Sequence, residues 1–200
     1  MTRLALNKTE LARKKRELAT YRRFLPSLDL KRRQLLEERS RARADLAELE
    51  RQRAALRDEA GRNIPMLSNR RISVEGLVTV RDVQLGEANI VGVCVPVFEG
   101  VDFTVEPYGL LSKPHWVDAV VEMLKRAAEL QLREQVARER LERLEAGLKK
   151  VTQRVNLFEK VLIPRAEAAI RTIQVGLADI ERASVVRSKI AKRKHAESWS

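Results

Sequence analysis

Cysteine occurs once in this chain of 200 residues, at Cys94, and histidine twice, at His115 and His195. One thiol cannot close an intrachain disulfide, and three scattered residues do not offer the spacing of a zinc site. A reducing compartment is therefore expected. Aromatic residues make up 4% of the chain, too few for a broad three-dimensional core or for base-stacking platforms. No run of eighteen apolar residues occurs, so no membrane-spanning helix is expected, and the opening residues lack the apolar core of a signal sequence. No Gly-x-x-x-x-Gly-Lys-Ser/Thr loop and no dinucleotide-type glycine spacing is present. Acidic pairs such as Glu37-Glu38 and Asp58-Glu59 read as solvated helix face, not as a general acid and base in a cleft. The chain is expected to hold no cofactor, to bind no metal and to be no enzyme by itself. Cys94, set among valines, reads as a small buried hydrophobe.

What the chain does have is leucine at heptad spacing near both ends. With Leu4 as an a position, the first a series runs Leu4, Leu11, Leu18, Leu25, Arg32, Arg39, Leu46, Arg53, and the d series ends Leu28, Leu35, Ala42, Leu49, Leu56. The second stretch has Trp116, Met123, Leu130, Ala137, Leu144, Val151, Phe158 at a and Val120, Ala127, Glu134, Leu141, Leu148, Val155, Leu162 at d. Repeats this long argue for coiled coil. Two of them in one chain can fold back on each other, setting Leu56 near Val120 and Leu25 near Val151. Arg32, Arg39 and Arg53 occupy seam positions. Their stems either cover the seam while the charges reach water, or they face carboxylates of another subunit.

Glycine and proline are scarce and cluster between the heptads. Five of eight glycines (Gly76, Gly86, Gly92, Gly100, Gly109) and four of six prolines (Pro65, Pro96, Pro107, Pro114) lie there. The expected division is residues 1–62 as an N-terminal coiled-coil helix, 63–114 as a middle insert and 115–200 as a long C-terminal coiled-coil helix. The fold class is mainly α: a long antiparallel two-helix coiled coil with a small β-hairpin in the insert. Asn89 to Phe98 and Val101 to Val105 read as the strands, with Glu99-Gly100 as a two-residue turn and Leu77 to Val83 as a weaker third strand. Pro96 confines its strand to an edge or ends it early. At about 1.5 Å per residue the second helix outruns the first, leaving the C-terminus as a protruding tip. Pro26 and Pro164 fall inside the helical patterns and should bend them. After Pro164 the apolar series moves by one position, to Ile163, Ala166, Ile170, Ile173, Leu177 and Ile180.

The net charge is +12, and its excess sits at the two ends. Arg3, Lys8, Arg13, Lys14, Lys15, Arg16, Arg22 and Arg23 form one cluster, and Arg187, Lys189, Lys192, Arg193 and Lys194 the other. Antiparallel pairing would bring both to one pole. A basic coiled-coil nucleic-acid binder or a generic adaptor is the alternative reading of this pattern. The near-neutral insert and the lack of aromatics argue against the first.

The segment Lys149 to Gln174 carries a basic pair, Thr152, Arg154-Val155-Asn156, Glu159, Ile163-Pro164, Ile170 and Ile173, followed by Arg187, Lys189, Ile190 and Lys192. It resembles the C-terminal helix of the D subunit of the V-type and archaeal-type rotary ATPases. The opening helix, with Leu30, Lys31, Arg33 and Leu35, is similar to the family's first helix. The resemblance implies a non-catalytic central-stalk rotor shaft that couples ATP hydrolysis or synthesis to ion translocation. Its implied partners are the catalytic hexamer of A and B subunits, the small F subunit of the stalk and a membrane-side rotor adaptor, with no nucleic acid and no direct membrane insertion. The implied location is cytoplasmic and peripheral to the membrane. Residues expected to meet the hexamer are Arg154, Asn156, Ile163, Pro164, Arg165, Arg187, Lys189, Lys192, Arg193 and Lys194.

Overall fold

The structure is a computed structural model that describes residues 5–63, 76–106 and 116–197. Arg3, Leu4, Pro65, Pro107, Gly109, Pro114 and His115, which entered the sequence reading, lie outside the described residues. In chain order the elements are α1 (Lys8–Asn63), β1 (Val78–Ile90), β2 (Val93–Val105), α2 (Val117–Leu157), a π-helical turn (Phe158–Leu162) and α3 (Ile163–Glu197). The architecture is mainly helical with one two-stranded antiparallel hairpin, as the composition and periodicity predict. Contacts gather the chain into two units, Arg33–Lys149 and Met1–Arg32 with Lys150–Ser200.

α1 forms because strong helix formers fill it and because its first turn is capped. Asn7 precedes the helix, and its Oδ1 accepts a hydrogen bond from the Glu10 backbone N–H at 2.7 Å, satisfying a donor with no partner inside the helix. From Leu11 to Ala60, every a and d position of α1 is buried or half-buried, while most other positions are exposed. The heptad register read from the sequence is therefore the register of the folded helix. Leu35 and Ala42 are its most deeply buried members.

In the unit Arg33–Lys149, α2 buries two stripes. The first is the seam, with Val120, Glu134, Leu144 and Leu148 buried. Cross-helix ion pairs Arg43–Glu145, Arg53–Glu134 and Glu50–Arg138 give an antiparallel register, because the partner number falls as the α1 number rises from 43 to 53. The second stripe carries Val117, Val121, Leu124, Ala128, Leu132 and Val136, all buried or half-buried, and the β-hairpin lies along it. At the hairpin base, Leu77, Val117 and Val121 form a buried cluster joined by Val78, Val105 and Trp116. Near its middle the Arg133 guanidinium stands 5.4 Å from the centre of the Phe98 ring. At its far end Val93 fills the notch left by Gly147, where an added Cβ would lie 2.5 Å from Val93 Cγ2. A strand of 13 residues spans about 43 Å at roughly 3.3 Å per residue. The α2 segment from Val117 to Gly147 is about 45 Å long. Length matching thus explains why so small an insert needs such long strands.

The turn differs from the sequence expectation. The strands pair from Val78↔Val105 to Ile90↔Val93, so the loop is Val91-Gly92. Val78 to Val83 and Asn89-Ile90 belong to one strand, with Leu77 just before it, and Glu99 is the extra residue of a bulge between the pairs Gln84↔Gly100 and Leu85↔Phe98. Val91 and Gly92 both have positive φ, 54° and 86°, as the right-handed strand twist demands of a two-residue hairpin turn. The Gly92 N–H donates to Asn89 Oδ1 at 2.8 Å, and this Asn side chain compensates for a valine where an asparagine or glycine is usual. Glu99-Gly100 had the look of a turn; a bulge draws on the same residues. Pro96 lies within β2 opposite Glu87, and a sheet of two strands leaves each strand an edge at which proline is tolerated. Cys94 is exposed, contrary to expectation. With Val93 and Val95 turned toward the helix, alternation turns Cys94 outward.

A β-branched residue in the left-handed region is strained by about 1–2 kcal/mol. Val91→Asn should relieve it and stabilise the protein by about 1 kcal/mol, read as a rise in the thermal unfolding midpoint; a lowered midpoint would contradict the strain.

Candidate partner-binding surface

The unit Met1–Arg32 with Lys150–Ser200 holds all ten residues singled out in the sequence. Its core is a second antiparallel pair, α1 against the end of α2 and α3. Val155, Ala166 and Ile173 are buried in it. Tyr21 meets Phe158 edge to face, ring centres 5.5 Å apart, both at seam positions of the expected register. Arg22 Nη2 lies 2.6 Å from Glu167 Oε1 and Lys8 Nζ 3.9 Å from Glu181 Oε1. Leu6 seats on Gly176, where an added Cβ would come within 2.9 Å of Leu6 Cδ1.

The shift of the apolar series has a structural cause. Phe158 to Leu162 form a π-helical turn, in which the Ile163 N–H donates to the Phe158 carbonyl, five residues back. A π turn contains one more residue than an α turn, so every later position rotates by one. Seam burial accordingly passes from Val155, Phe158 and Leu162 to Ile163, Ala166, Ile170, Ile173 and Leu177. Pro164 follows directly. Lacking an N–H, and with a ring that collides with the carbonyl four residues back in a regular helix, it is suited to the widened turn. On α1, Pro26 is accommodated inside an unbroken helix, and Ser27 Oγ donates to the Phe24 carbonyl at 2.8 Å nearby. Pro26 and Glu159 line one cavity of about 320 Å3 with Leu25, Asp29, Arg32 and Val155. The two irregularities of this unit therefore face each other. Leu25 and Val155 line this cavity together.

The candidate residues fall into two groups. Arg154, Asn156, Pro164 and Arg165 are exposed or half-buried around the π turn, with Ile163 half-buried among them. Arg187, Lys189, Lys192, Arg193 and Lys194 are exposed at the far end of α3. Arg165 and Arg187 are about 33 Å apart along the helix, so these are two surfaces and not one site. Four cations of the α1 cluster have acidic partners. Lys8 and Arg22 pair with α3 at Glu181 and Glu167, while Arg13 and Lys14 pair within α1. Past Glu181, residues 182–195 are exposed throughout. They carry Arg182, Arg187, Lys189, Lys192, Arg193 and Lys194 with no Asp or Glu before Glu197. Val185, Val186 and Ile190 are also open here, at 56%, 54% and 46% exposure. This apolar component was not singled out in the sequence, where the series after Ile180 loses its spacing. Strongly basic with apolar residues interspersed, the surface suits a protein partner that offers both acidic and apolar groups.

The described residues define a coiled-coil protein of paired helices with a side-packed β-hairpin; they contain no helix long and apolar enough to cross a membrane and no cluster of metal-ligating side chains. A family model for the ATP synthase D subunit matches residues 10–193. The V-type ATP synthase D subunit of Borreliella burgdorferi is 34% identical over 194 residues, covering 96% of this chain and 95% of that protein. The proteins of the same name from Chlamydia pneumoniae and Chlamydia muridarum are each 31% identical, over 94% and 96% of this chain and 91% and 96% of theirs. The chain belongs to the ATP synthase D subunit family.

Two outcomes test the local physics. If the π turn exists to carry one extra residue, deleting exposed Lys160 should convert it to α-helix and change stability by about 1 kcal/mol or less. Deleting Ala168 instead should rotate Ile173 out of the seam and cost about 2 kcal/mol or more in thermal unfolding. At the start of α1, a hydrogen bond from Arg13, with the charges of Arg13 and Lys14 behind it, holds the Glu10 carboxyl below its ordinary value. A lowered folded-state pKa gives stability that is present above the unfolded value and lost as pH falls through the folded one. Helical NMR shifts of residues 8–14 should therefore decay below about pH 4, and Arg13→Ala should move that decay to higher pH.

Proposed function

We propose that this chain is the central-stalk rotor shaft of a V-type ATPase, coupling ATP hydrolysis or synthesis in a catalytic hexamer to ion translocation in the membrane sector. The observation that carries the reading is the end of α3, basic, partly apolar and extending past the Lys8–Glu181 cross-helix ion pair. In this reading that end enters the hexamer of A and B subunits, with Arg187, Lys189, Lys192, Arg193 and Lys194 against acidic surfaces. Arg154, Asn156, Ile163, Pro164 and Arg165 form a second contact zone. Residues 1–62 and 115–200 supply the shaft, and 63–114 the insert; the small F subunit and the membrane-side adaptor dock away from the α3 end. The protein is non-catalytic and sits peripherally on the cytoplasmic side.

The physics of the role lies in symmetry. A pair of helices has no threefold axis, so within a threefold ring it presents a different face to each catalytic interface. Each interface is then biased toward a different state, because a contact shifts an equilibrium only by its differential affinity for the two conformations. Turning the shaft exchanges the biases. Exposed lysine and arginine contacts are weak and screened by salt, which lets them follow a rotating surface without trapping one angle.

Replacing Lys189, Lys192, Arg193 and Lys194 together with glutamine in the assembled complex should lower ion transport per ATP hydrolysed severalfold while the complex still forms. Unchanged coupling would count against this use of the α3 end.

A further inference from the structure

We infer that Glu134 and Arg53 form a register pin that holds α1 and α2 at one of several seam alignments that leucine alone would leave nearly equivalent. The inference rests on the helix pairing within Arg33–Lys149 and is independent of the proposed rotor role. Glu134 stands at a seam position of α2 and is only 3% exposed. Arg53 Nη1 reaches its Oε2 at 3.2 Å from the facing helix. Arg138, one turn along α2, meets Oε1 at 2.5 Å and continues to Glu50 of α1 at 3.2 Å. Oε2 has no hydrogen bond among the described residues, so the charge of Arg53 is what compensates it. This also answers how one seam arginine is used: its carboxylate comes from the same chain.

Glu134 is buried while the Arg53 side chain is 43% exposed, so desolvation of the carboxylate offsets much of the attraction; the best-attested use of such a charged seam contact is to choose among alignments. The remaining seam offers little choice of its own. Its leucines and alanines recur every seven residues, so sliding one helix by a heptad sets apolar side chains against apolar side chains again. Such a slide would set Glu134 against Leu46 or Ala60, leaving it only Arg138 of its own helix, and set Arg53 against Leu141 or Ala127 with no carboxylate at the seam. The exposed pair Arg43–Glu145 is screened and discriminates little.

The test uses the full chain with Cys94→Ser, spin labels at positions 43 and 145, and pulsed electron resonance distances. The parent should give one narrow distance. Arg53→Leu with Glu134→Leu should keep the helical circular dichroism and an equal or higher unfolding midpoint, yet add a second, distinct distance, as an axial offset of one heptad, about 10 Å, requires. Glu50→Gln, which removes only the exposed branch of the cluster, should keep the single distance. A double-leucine chain with the parental distance alone would overturn the inference. So would one that fails to fold, since the pair would then supply stability and not alignment, or a Glu50→Gln chain that slips.

Discussion

The rest of the structure depends on narrow lines of contact, one within each unit, in which seam side chains of α1 meet those of α2 in Arg33–Lys149 and those of the end of α2 and of α3 in the other. A line of this kind buries few residues per unit length, and the 4% aromatic content reflects it. Stability must come from repetition. The same repetition creates ambiguity, because a heptad pattern is satisfied at several alignments. Three features answer that ambiguity in different places. The Arg53–Glu134 pair penalises displacement in one unit, Leu6 enters a glycine notch in the other, and the π turn absorbs a residue that would otherwise spoil the phase.

The β-hairpin extends this logic sideways. α2 is apolar along a second stripe, which a two-stranded coil has no means to bury, and the hairpin covers it with strands whose length equals that of the stripe. Gly147 and Gly176 play matching parts. Each removes a side chain from a helix at modest cost in propensity, and each receives an aliphatic residue from a facing segment. The strained Val91 at the hairpin loop is tolerated because Asn89 supplies the turn's side-chain hydrogen bond.

The candidate surface at the end of α3 lies beyond the Lys8–Glu181 ion pair. Past Glu181, α3 continues with open valine and isoleucine side chains and with Arg187, Lys189, Lys192, Arg193 and Lys194, all exposed. Family membership gives this end a context, since the relatives are named as subunits of a V-type ATP synthase. The start of α1 is also rich in cations. Several have acidic partners on their own or the facing helix, which makes them part of the pairing.

Much of this was legible in residue order. A 3.5-residue period is a property of the chain itself, so both heptad series, the antiparallel return and the single-position shift after Pro164 could be read directly. The motif around Arg154-Val155-Asn156 and Ile163-Pro164 carried the family. Tertiary structure alone decided the hairpin register, because Glu99-Gly100 and Val91-Gly92 are both plausible turns until packing on α2 selects which residues face inward. It also decided that a glutamate in the seam meets an arginine of the facing helix, far away in sequence, and that a shift in spacing becomes a π turn. Local spacing reports which face of an element is apolar. What that face meets is a matter of long-range complementarity, which no local pattern encodes.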